Sequence, residues 1–380
     1  MSRPRRYYSS DILCARGAVF TLAIMLASTL ATGPGHGPGS VQPSVPADEH
    51  THLCSYDHWE QTASPQSWYI IGNEDAGGHA VNMAGRNIST TPEALWRWMP
   101  VPTCVGFELA GPSSVCDAMI VLGLKRIVFV GDSLSYMQAQ SLLFLLEPGR
   151  TKSPQENNWK PVDIICSGGG KLKLEYVRND HLTSNPRGKY CSGWAPDFLS
   201  KTKPPSLYIF NTGAHEYRVN GTETANNPGG IKEFAKDFGE FAAVLEKHAR
   251  QRDGDVVFWR PTPEGHANCT RFERPLERPP PVLPDAFGWN LFEDFNALAR
   301  RALAAANLTR HAHVLDVVPM TRLRPDGHRG GFRREKFLNP ALPDDCLHYF
   351  LPGPPDAWNH LLATHLSALA RARRAPHGLL

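Results

Sequence analysis

The chain has 380 residues, of which 41% are hydrophobic, so it is long enough and apolar enough to bury a sizeable core. Its 40 Lys and Arg residues are nearly balanced by 37 Asp and Glu residues, which leaves a formal net charge of +3. So small a surplus of positive charge gives no support to nucleic acid as a partner.

The N-terminus has the pattern of an address for the secretory pathway. A basic segment, residues 1–16, precedes an apolar run at residues 17–33. The run is near the lower length limit for a membrane span, and the positive charge before it favours an uncleaved signal anchor. The rest of the chain would then lie in a lumen. Small residues at Thr29 and Ala31 leave a cleaved signal peptide as the alternative.

Two regions of different amino-acid composition follow the apolar run. Residues 34–50 are rich in Gly, Pro and Ser. Because they carry too little apolar surface to order themselves, they predict a disordered stalk. Residues 51–375 predict one globular domain without an internal repeat.

Short apolar runs alternate with helical patterns through this domain. We predict buried strands at residues 126–130, 206–210, 255–259 and 313–318. We predict helices at residues 134–147, 231–250, 288–306 and 356–373. Continuous apolar strands between helices favour an α/β fold with a mostly parallel central sheet and helices on both faces. Such sheets bind ligands at the carboxyl ends of their strands.

The first candidate site directly follows the first predicted strand. Gly131, Asp132 and Ser133 come between that strand and a helix, so they would lie at the carboxyl edge of the sheet. The N-terminal amides of the helix can stabilise a developing negative charge there. The alternative is that Asp132 and Ser133 only cap the helix.

The second candidate site lies near the C-terminus. Asp345 precedes His348 by three residues, a spacing at which a carboxylate on one turn can hold an imidazole on the next. An imidazole held in this way can take the proton of a serine hydroxyl and so activate it as a nucleophile. Asp344 is a rival for the carboxylate, and a structural or surface role is the alternative for His348.

Cysteines and glycosylation signals agree with a luminal domain. Of eight cysteines, Cys14 precedes the apolar run and seven follow it, without a Cys-x-x-Cys pair. This pattern favours disulfides in an oxidising compartment over a zinc site, and the odd number leaves at least one thiol free or paired with another chain. Four Asn-x-Ser/Thr sequences are candidate glycosylation sites, at Asn87, Asn220, Asn268 and Asn307.

Five motifs occur in order along the domain. They are WRWMPVPTC (96–104), VFVGDSLSYMQ (128–138), LYIFNTGAHEY (207–217), FWRPTPEGHANC (258–269) and DCLHYFLPGPPDAWNHLL (345–362). Together they resemble the PC-esterase family, and within it the trichome-birefringence-like branch of plant polysaccharide O-acetyltransferases. The resemblance covers about residues 54–370. It implies a three-layer α/β/α domain similar to the SGNH (GDSL-type) hydrolases.

The resemblance also implies roles for particular residues. Carried over by motif, Ser133 would be the nucleophile, His348 the general base and acid, and Asp345 its orienting partner. The amide of Ser133 and the turn from Asn211 to Gly213 would form the oxyanion hole, which acyl transfer needs. Asn211 is equally a candidate turn residue.

Further features follow from the same resemblance. It implies two disulfides, Cys269–Cys346 and Cys54–Cys104. Independently of the resemblance, the glycine run at residues 168–170 is another candidate source of an oxyanion amide, with a flexible loop as the alternative. The chain departs from the family after its histidine, where Tyr349 and Phe350 replace the Trp-Cys of plant members, which removes or reroutes one family disulfide.

The activity implied is an O-acetyltransferase that moves an acetyl group to hydroxyls of a polysaccharide or glycan through an acyl-enzyme. One alternative is a carbohydrate or other acyl esterase, in which water replaces the sugar. The other is a non-catalytic glycan-binding protein. We expect no bound cofactor and no metal, with an acetyl donor such as acetyl-CoA or another acetyl ester as co-substrate. We expect a single-pass type II protein of the Golgi membrane with a luminal catalytic domain, or alternatively a secreted protein.

Overall fold

The computed structural model describes residues 54, 57–62, 95–104, 106–150, 152–156, 159–183, 199, 204–215, 218–219, 222–223, 228–251, 254–281, 288–330 and 344–374. The expected basic segment, apolar run and stalk lie outside these residues. Within the ranges given, none of the helices combines the length and the apolar composition of a membrane span.

The described strands and helices alternate through most of the domain. The strands are β1 (Asp57–Gln61), β2 (Trp96–Pro100), β3 (Arg126–Gly131), β4 (Val162–Ile165), β5 (Lys171–Arg178), β6 (Ser206–Phe210), β7 (Arg218–Val219), β8 (Thr222–Glu223), β9 (Val256–Trp259), β10 (Ala312–Val314), β11 (His328–Gly330) and β12 (Asp345–Tyr349). The α-helices are α1 (Pro112–Val121), α2 (Ser133–Leu146), α3 (Pro228–Gln251), α4 (Phe292–Ala305), α5 (Val318–Thr321) and α6 (Pro354–Arg374).

The central sheet has six strands in the order β10-β9-β6-β3-β5-β4. Its first five strands are parallel, and β4 pairs with β5 in the antiparallel sense at one edge. Strand β3 lies between β6 and β5, and all of its residues are buried, as its continuous apolar run predicts. The expected mixed α/β fold with a mostly parallel sheet is confirmed.

Helices cover both faces of this sheet. Neighbouring residues of a strand point to opposite faces, and Phe258 and Trp259 of β9 each contact a different helix. The Phe258 ring lies 5.4 Å from that of His365 on α6, between centroids. The Trp259 ring lies 5.8 Å from that of Phe238 on α3. The sheet is therefore the middle of three layers. Because the helices cover its faces, a ligand site is expected at the carboxyl edge, where the strands end.

Two predicted elements have different bounds in the structure. The strand expected at residues 313–318 ends at Val314, because the Asp316 carboxylate accepts the Val318 N–H at 3.3 Å and the short helix α5 begins there. The helix expected at 288–306 starts as a 3-10 turn over Trp289–Leu291 before α4.

The position of the β4–β5 hairpin excludes the glycine run 168–170 as a source of an oxyanion amide. Its turn contains the glycine run 168–170, with the Cys166 N–H bonded to the Gly170 carbonyl at 2.9 Å. Because β5 is parallel to β3, a turn that precedes β5 lies at the amino edge of the sheet. The glycine run is therefore on the side opposite Ser133 and cannot donate to an oxyanion there.

Three disulfides connect the described residues. They are Cys54–Cys104, Cys116–Cys166 and Cys269–Cys346. The structure thus contains both pairs that the resemblance implies, and the pair between α1 and the β4–β5 turn is additional. Cys14 and Cys191 lie outside the described residues.

Candidate active site

Ser133 lies at the carboxyl edge of the central strand, as predicted. Asp132 caps helix α2, with its Oδ1 accepting the Leu134 N–H at 2.9 Å. Gly131 has a φ of +155°, and a Cβ at this position would lie 2.4 Å from the Asn211 carbonyl oxygen. A residue with a side chain would strain this turn. Glycine therefore allows the chain to pass from β3 directly into the helix that begins at Ser133.

A line of hydrogen bonds joins the two candidate stretches. The Ser133 Oγ lies 2.8 Å from the His348 Nε2. The His348 Nδ1 lies 3.0 Å from both carboxylate oxygens of Asp345. Because a carboxylate only accepts, the ring proton is on Nδ1, and Nε2 is the atom that accepts the serine proton. The Asp345 Oδ1 also accepts the main-chain N–H of His348 at 3.1 Å.

The carboxylate of Asp345 is held in its charged form. Burial raises the pKa of this carboxyl, but His348 and Arg329 outweigh the effect and hold the pKa well below its usual range. The Arg329 Nε lies 3.7 Å from the Asp345 Oδ2, and the Arg329 side chain is itself buried. A charged carboxylate can stabilise an imidazolium as it forms.

The rival carboxylate lies elsewhere. Asp344 directly precedes β12 and accepts a hydrogen bond from the Thr270 hydroxyl at 3.1 Å. It is Asp345 that the structure brings to His348.

Part of the expected oxyanion hole has to be corrected. Both side-chain N–H groups of Asn211 are used inside the fold, donating to the Arg260 carbonyl at 3.0 Å and to the Thr262 hydroxyl at 2.7 Å. Its main-chain N–H donates to the Val130 carbonyl at 3.0 Å. Asn211 therefore has no donor left for an oxyanion, and it joins the ends of two strands instead.

The amides of Ser133 and Gly213 remain candidates. Neither donates to another of the residues that the structure describes. Gly213 has a φ of +132°, a conformation that glycine adopts readily.

Two of the four candidate glycosylation asparagines lie among the described residues. Asn268 and Asn307 are exposed, whereas Asn87 and Asn220 lie outside the described residues. Among the described residues, no group of three or more His, Cys, Asp or Glu side chains is arranged to hold a metal ion.

Two buried arginines near the site have no role among the predictions from the sequence. Arg329 reaches Asp345 because β11 pairs with β12, a contact between residues that no local pattern connects. Arg260 directly follows β9 and is fully buried. A buried, charged residue in an apolar run is the signal that could have found Arg260.

Comparison with known proteins agrees with this geometry. Residues 210–365 match the model of the family described as "PC-Esterase: GDSL/SGNH-like Acyl-Esterase family found in Pmr5 and Cas1p". The match contains Asp345 and His348 and begins after Ser133.

Two curated relatives align over most of the chain. The "Probable xylan O-acetyltransferase 11" of Oryza sativa subsp. japonica is 27% identical over 73% of this chain and 77% of its own length. The "Protein trichome birefringence-like 15" of Arabidopsis thaliana is 25% identical over 64% of this chain and 56% of its own length. The chain thus spans a little over half the length of the second relative.

A solved structure of a peptidoglycan O-acetylesterase aligns with 69% of this chain and 97% of its own, at 12% identity and a TM-score of 0.36, a score too low to establish a shared fold. The family match and the curated relatives agree with the five ordered motifs. Over residues 210–365 the chain is similar to the PC-esterase family, and its longer alignments are with relatives named as xylan O-acetyltransferase and trichome birefringence-like proteins.

Proposed function

We propose that this protein is a serine-dependent O-acetyltransferase that moves an acetyl group to hydroxyls of a polysaccharide through an acyl-enzyme. The observation that carries the proposal is the hydrogen-bonded line from the Ser133 Oγ through the His348 ring to the Asp345 carboxylate. The relatives named as xylan O-acetyltransferases support a polysaccharide acceptor.

The first half of the reaction loads the serine. The Ser133 Oγ attacks the carbonyl carbon of the acetyl donor while its proton moves to the His348 Nε2, 2.8 Å away. Asp345 stabilises the imidazolium through Nδ1. The tetrahedral intermediate collapses, the donor's leaving group takes the proton from Nε2, and acetyl-Ser133 remains.

The second half transfers the acetyl group. A sugar hydroxyl gives its proton to the His348 Nε2 and attacks the acetyl carbon. The bond to Ser133 then breaks, and the Ser133 Oγ recovers the proton. The oxyanion forms twice, near the N-terminus of α2, where the amides of Ser133 and Gly213 are the donors that we assign to it.

We assign the acetyl donor and the compartment from the sequence. The donor is a co-substrate such as acetyl-CoA or another acetyl ester, and no bound cofactor takes part. The basic segment before the apolar run supports a Golgi type II membrane protein with a luminal catalytic domain, with exposed Asn268 and Asn307 as glycosylation sites. The three disulfides are typical of an oxidising compartment.

The test is a paired assay of the full chain and its Ser133→Ala variant. Each is incubated with an activated acetyl ester and a panel of xylan and xyloglucan oligosaccharides, and mass spectrometry follows both the sugars and free acetate. We expect acetylated sugar from the wild type alone.

Two other results would change the assignment. Serine-dependent acetate with every sugar unmodified would make the protein an esterase, an outcome that the family's description as acyl-esterases favours as the second candidate. Glycan binding without any serine-dependent chemistry would make it a binding protein.

A further inference from the structure

A positive charge is buried beneath the catalytic turn. Arg260 is 0% exposed, and its main-chain N–H is fixed on the Phe210 carbonyl at 2.8 Å. Its guanidinium carbon lies 4.8 Å from the centre of the Trp358 ring. Its Nη2 donates to the Ser135 hydroxyl at 3.4 Å, which brings the guanidinium under the first turn of α2.

The buried guanidinium of Arg260 has two nitrogen atoms without a hydrogen-bond acceptor among the described residues. Among the described residues, Nε and Nη1 of Arg260 form no hydrogen bond, and no carboxylate forms an ion pair with it. Burial lowers the pKa of Arg260 to about 10, and the negative charge of Asp132 acts in the opposite direction. The group is therefore charged at neutral pH, and it is buried without a direct counter-ion.

A negative charge with an unused hydrogen-bonding oxygen lies at the start of the same helix, whose first turn Arg260 reaches through Ser135. Asp132 is also 0% exposed, and the Leu134 N–H occupies only its Oδ1. Its Oδ2 has no partner among the described residues. Burying either charge alone is costly, so each is stabilised by the other.

Arg260 also reaches towards the strand that carries the base. Tyr349 directly follows His348, and its ring lies 5.5 Å from the same Trp358 ring that contacts Arg260. The Tyr349 hydroxyl is buried and has no partner among the described residues.

We propose that Arg260 is a positioning residue whose charge, balanced by Asp132, holds the Ser133 turn against the strand of His348. The proposal rests on the acyl-transfer function proposed above. Arg260 touches no reacting atom; it acts through Asp132, which caps the helix of the nucleophile, and through Ser135 in the next turn.

A double-mutant cycle that removes the two charges singly and together tests the proposal in the full chain. Arg260→Met keeps the bulk of the side chain, and Asp132→Asn keeps an oxygen for the helix cap, so each removes little besides one charge. Each single variant leaves the opposite charge buried alone and shifts the turn. We expect kcat to fall by about 100-fold, the loss that a small misplacement of reacting groups causes, with KM nearly unchanged.

The double variant decides the result. Arg260→Met with Asp132→Asn removes both charges, so we expect it to recover most of the activity that each single variant loses. Losses that simply multiply in the double variant, or a single Arg260→Met variant with wild-type kcat, would overturn the proposal. The matched control is Arg300→Met, which removes another arginine that lies over a tryptophan, on the opposite face of the sheet.

Two further measurements separate this proposal from the proposed function. Thermal unfolding of the wild type, the two single variants and the double variant measures the same pairing without an activity assay. It stays informative if a single variant is too unstable for kinetics. A double variant more stable than both single variants supports the pairing, and additive losses contradict it. Labelling of Ser133 by a fluorophosphonate, with Ser133→Ala as the blank, reports the nucleophile even if no sugar is acetylated.

Discussion

Asp345 and His348 face the same side of β12 although they are three positions apart. A regular strand would point residues three apart to opposite faces. Here the pairing with β11 is irregular: His328 pairs with Tyr349 and Gly330 with Asp345, so β12 carries two extra residues over this span. The irregularity brings the carboxylate to the imidazole, as bulges beside active sites often do.

Removal of the nucleophile or of the base should abolish acetyl transfer. We expect Ser133→Ala and His348→Ala each to lower kcat on the order of 10⁶-fold, because the two groups act as one unit. The double variant should be no worse than either single one. Thermal unfolding should show all three folded, and Ser113→Ala, at an exposed serine of α1, is the control. A wild-type rate in either single variant contradicts the assignment.

The two neighbouring carboxylates provide a matched pair. Asp345→Asn should lower kcat by roughly 10⁴-fold, because an amide no longer fixes the proton on Nδ1 of His348. Asp344→Asn changes the same chemical group one residue away, where the carboxylate accepts a hydrogen bond from the Thr270 hydroxyl, and it should keep near wild-type kcat. Steady-state kinetics of the two variants side by side is the measurement. Equal losses would mean that the imidazole contact is not what matters.

How far the sequence predicts the fold depends on burial. Strands β3 and β6 are buried along their whole length, so their continuous apolar runs mark them to within one residue. Strand β5 alternates buried and exposed residues, and β4 is a short strand at the edge of the sheet. A search for continuous runs misses both, although the alternation in KLKLEYVR (171–178) is itself a strand signal.

The site shows the same division between local and distant contacts. Ser133, Asp345 and His348 belong to short motifs, and their types and spacing carry enough chemistry to be recognised. The role of Asn211 could not be derived in this way, because its donors are consumed by Arg260 and Thr262, about fifty residues further along the chain. A sequence pattern does not show which hydrogen bonds a buried residue has already made.

The glycine of the catalytic turn should be irreplaceable. A Cβ on Gly131 would lie 2.4 Å from the Asn211 carbonyl and 2.5 Å from the Ser135 Oγ, so we expect Gly131→Ala to destabilise the fold by about 1–3 kcal/mol and to inactivate it. Gly239→Ala makes the same change in α3, where nothing lies within 4 Å, and should stabilise by about 0.5–1 kcal/mol. Urea unfolding distinguishes the two signs, and similar destabilisation by both substitutions would count against the steric explanation.

Two disulfides should differ in their effect on catalysis. Cys116–Cys166 and Cys269–Cys346 close spans of 50 and 77 residues. Removing either pair by Cys→Ala should cost about 4 kcal/mol of unfolding free energy. Only the second pair is next to Asp345, so only its loss should also lower kcat at a temperature where both variants are folded. Equal kcat in the two variants would show that β12 holds its position without the bridge.

Stability should fall in mild acid because of His360. Burial lowers the pKa of His360 to about 4, and its Nδ1 accepts the Ala110 N–H at 2.9 Å, which requires a neutral ring. An unfolded histidine binds its proton near pH 6.5, so between that pH and about 4 the unfolded state holds more protons. The stabilising contribution is therefore lost as the pH falls through this window, by about 3 kcal/mol in total.

The variant His360→Asn isolates this contribution, because it keeps an oxygen for the Ala110 N–H but cannot take up a proton. Chemical unfolding of both chains at a series of pH values between 7.5 and 4.5 measures the difference. We expect the wild type to lose more stability than the variant across this interval, by about 2–3 kcal/mol, since nearly all of the unfolded-state titration falls within it. Parallel pH profiles would mean that the His360 ring takes up its proton without unfolding the packing between α6 and the segment that precedes α1.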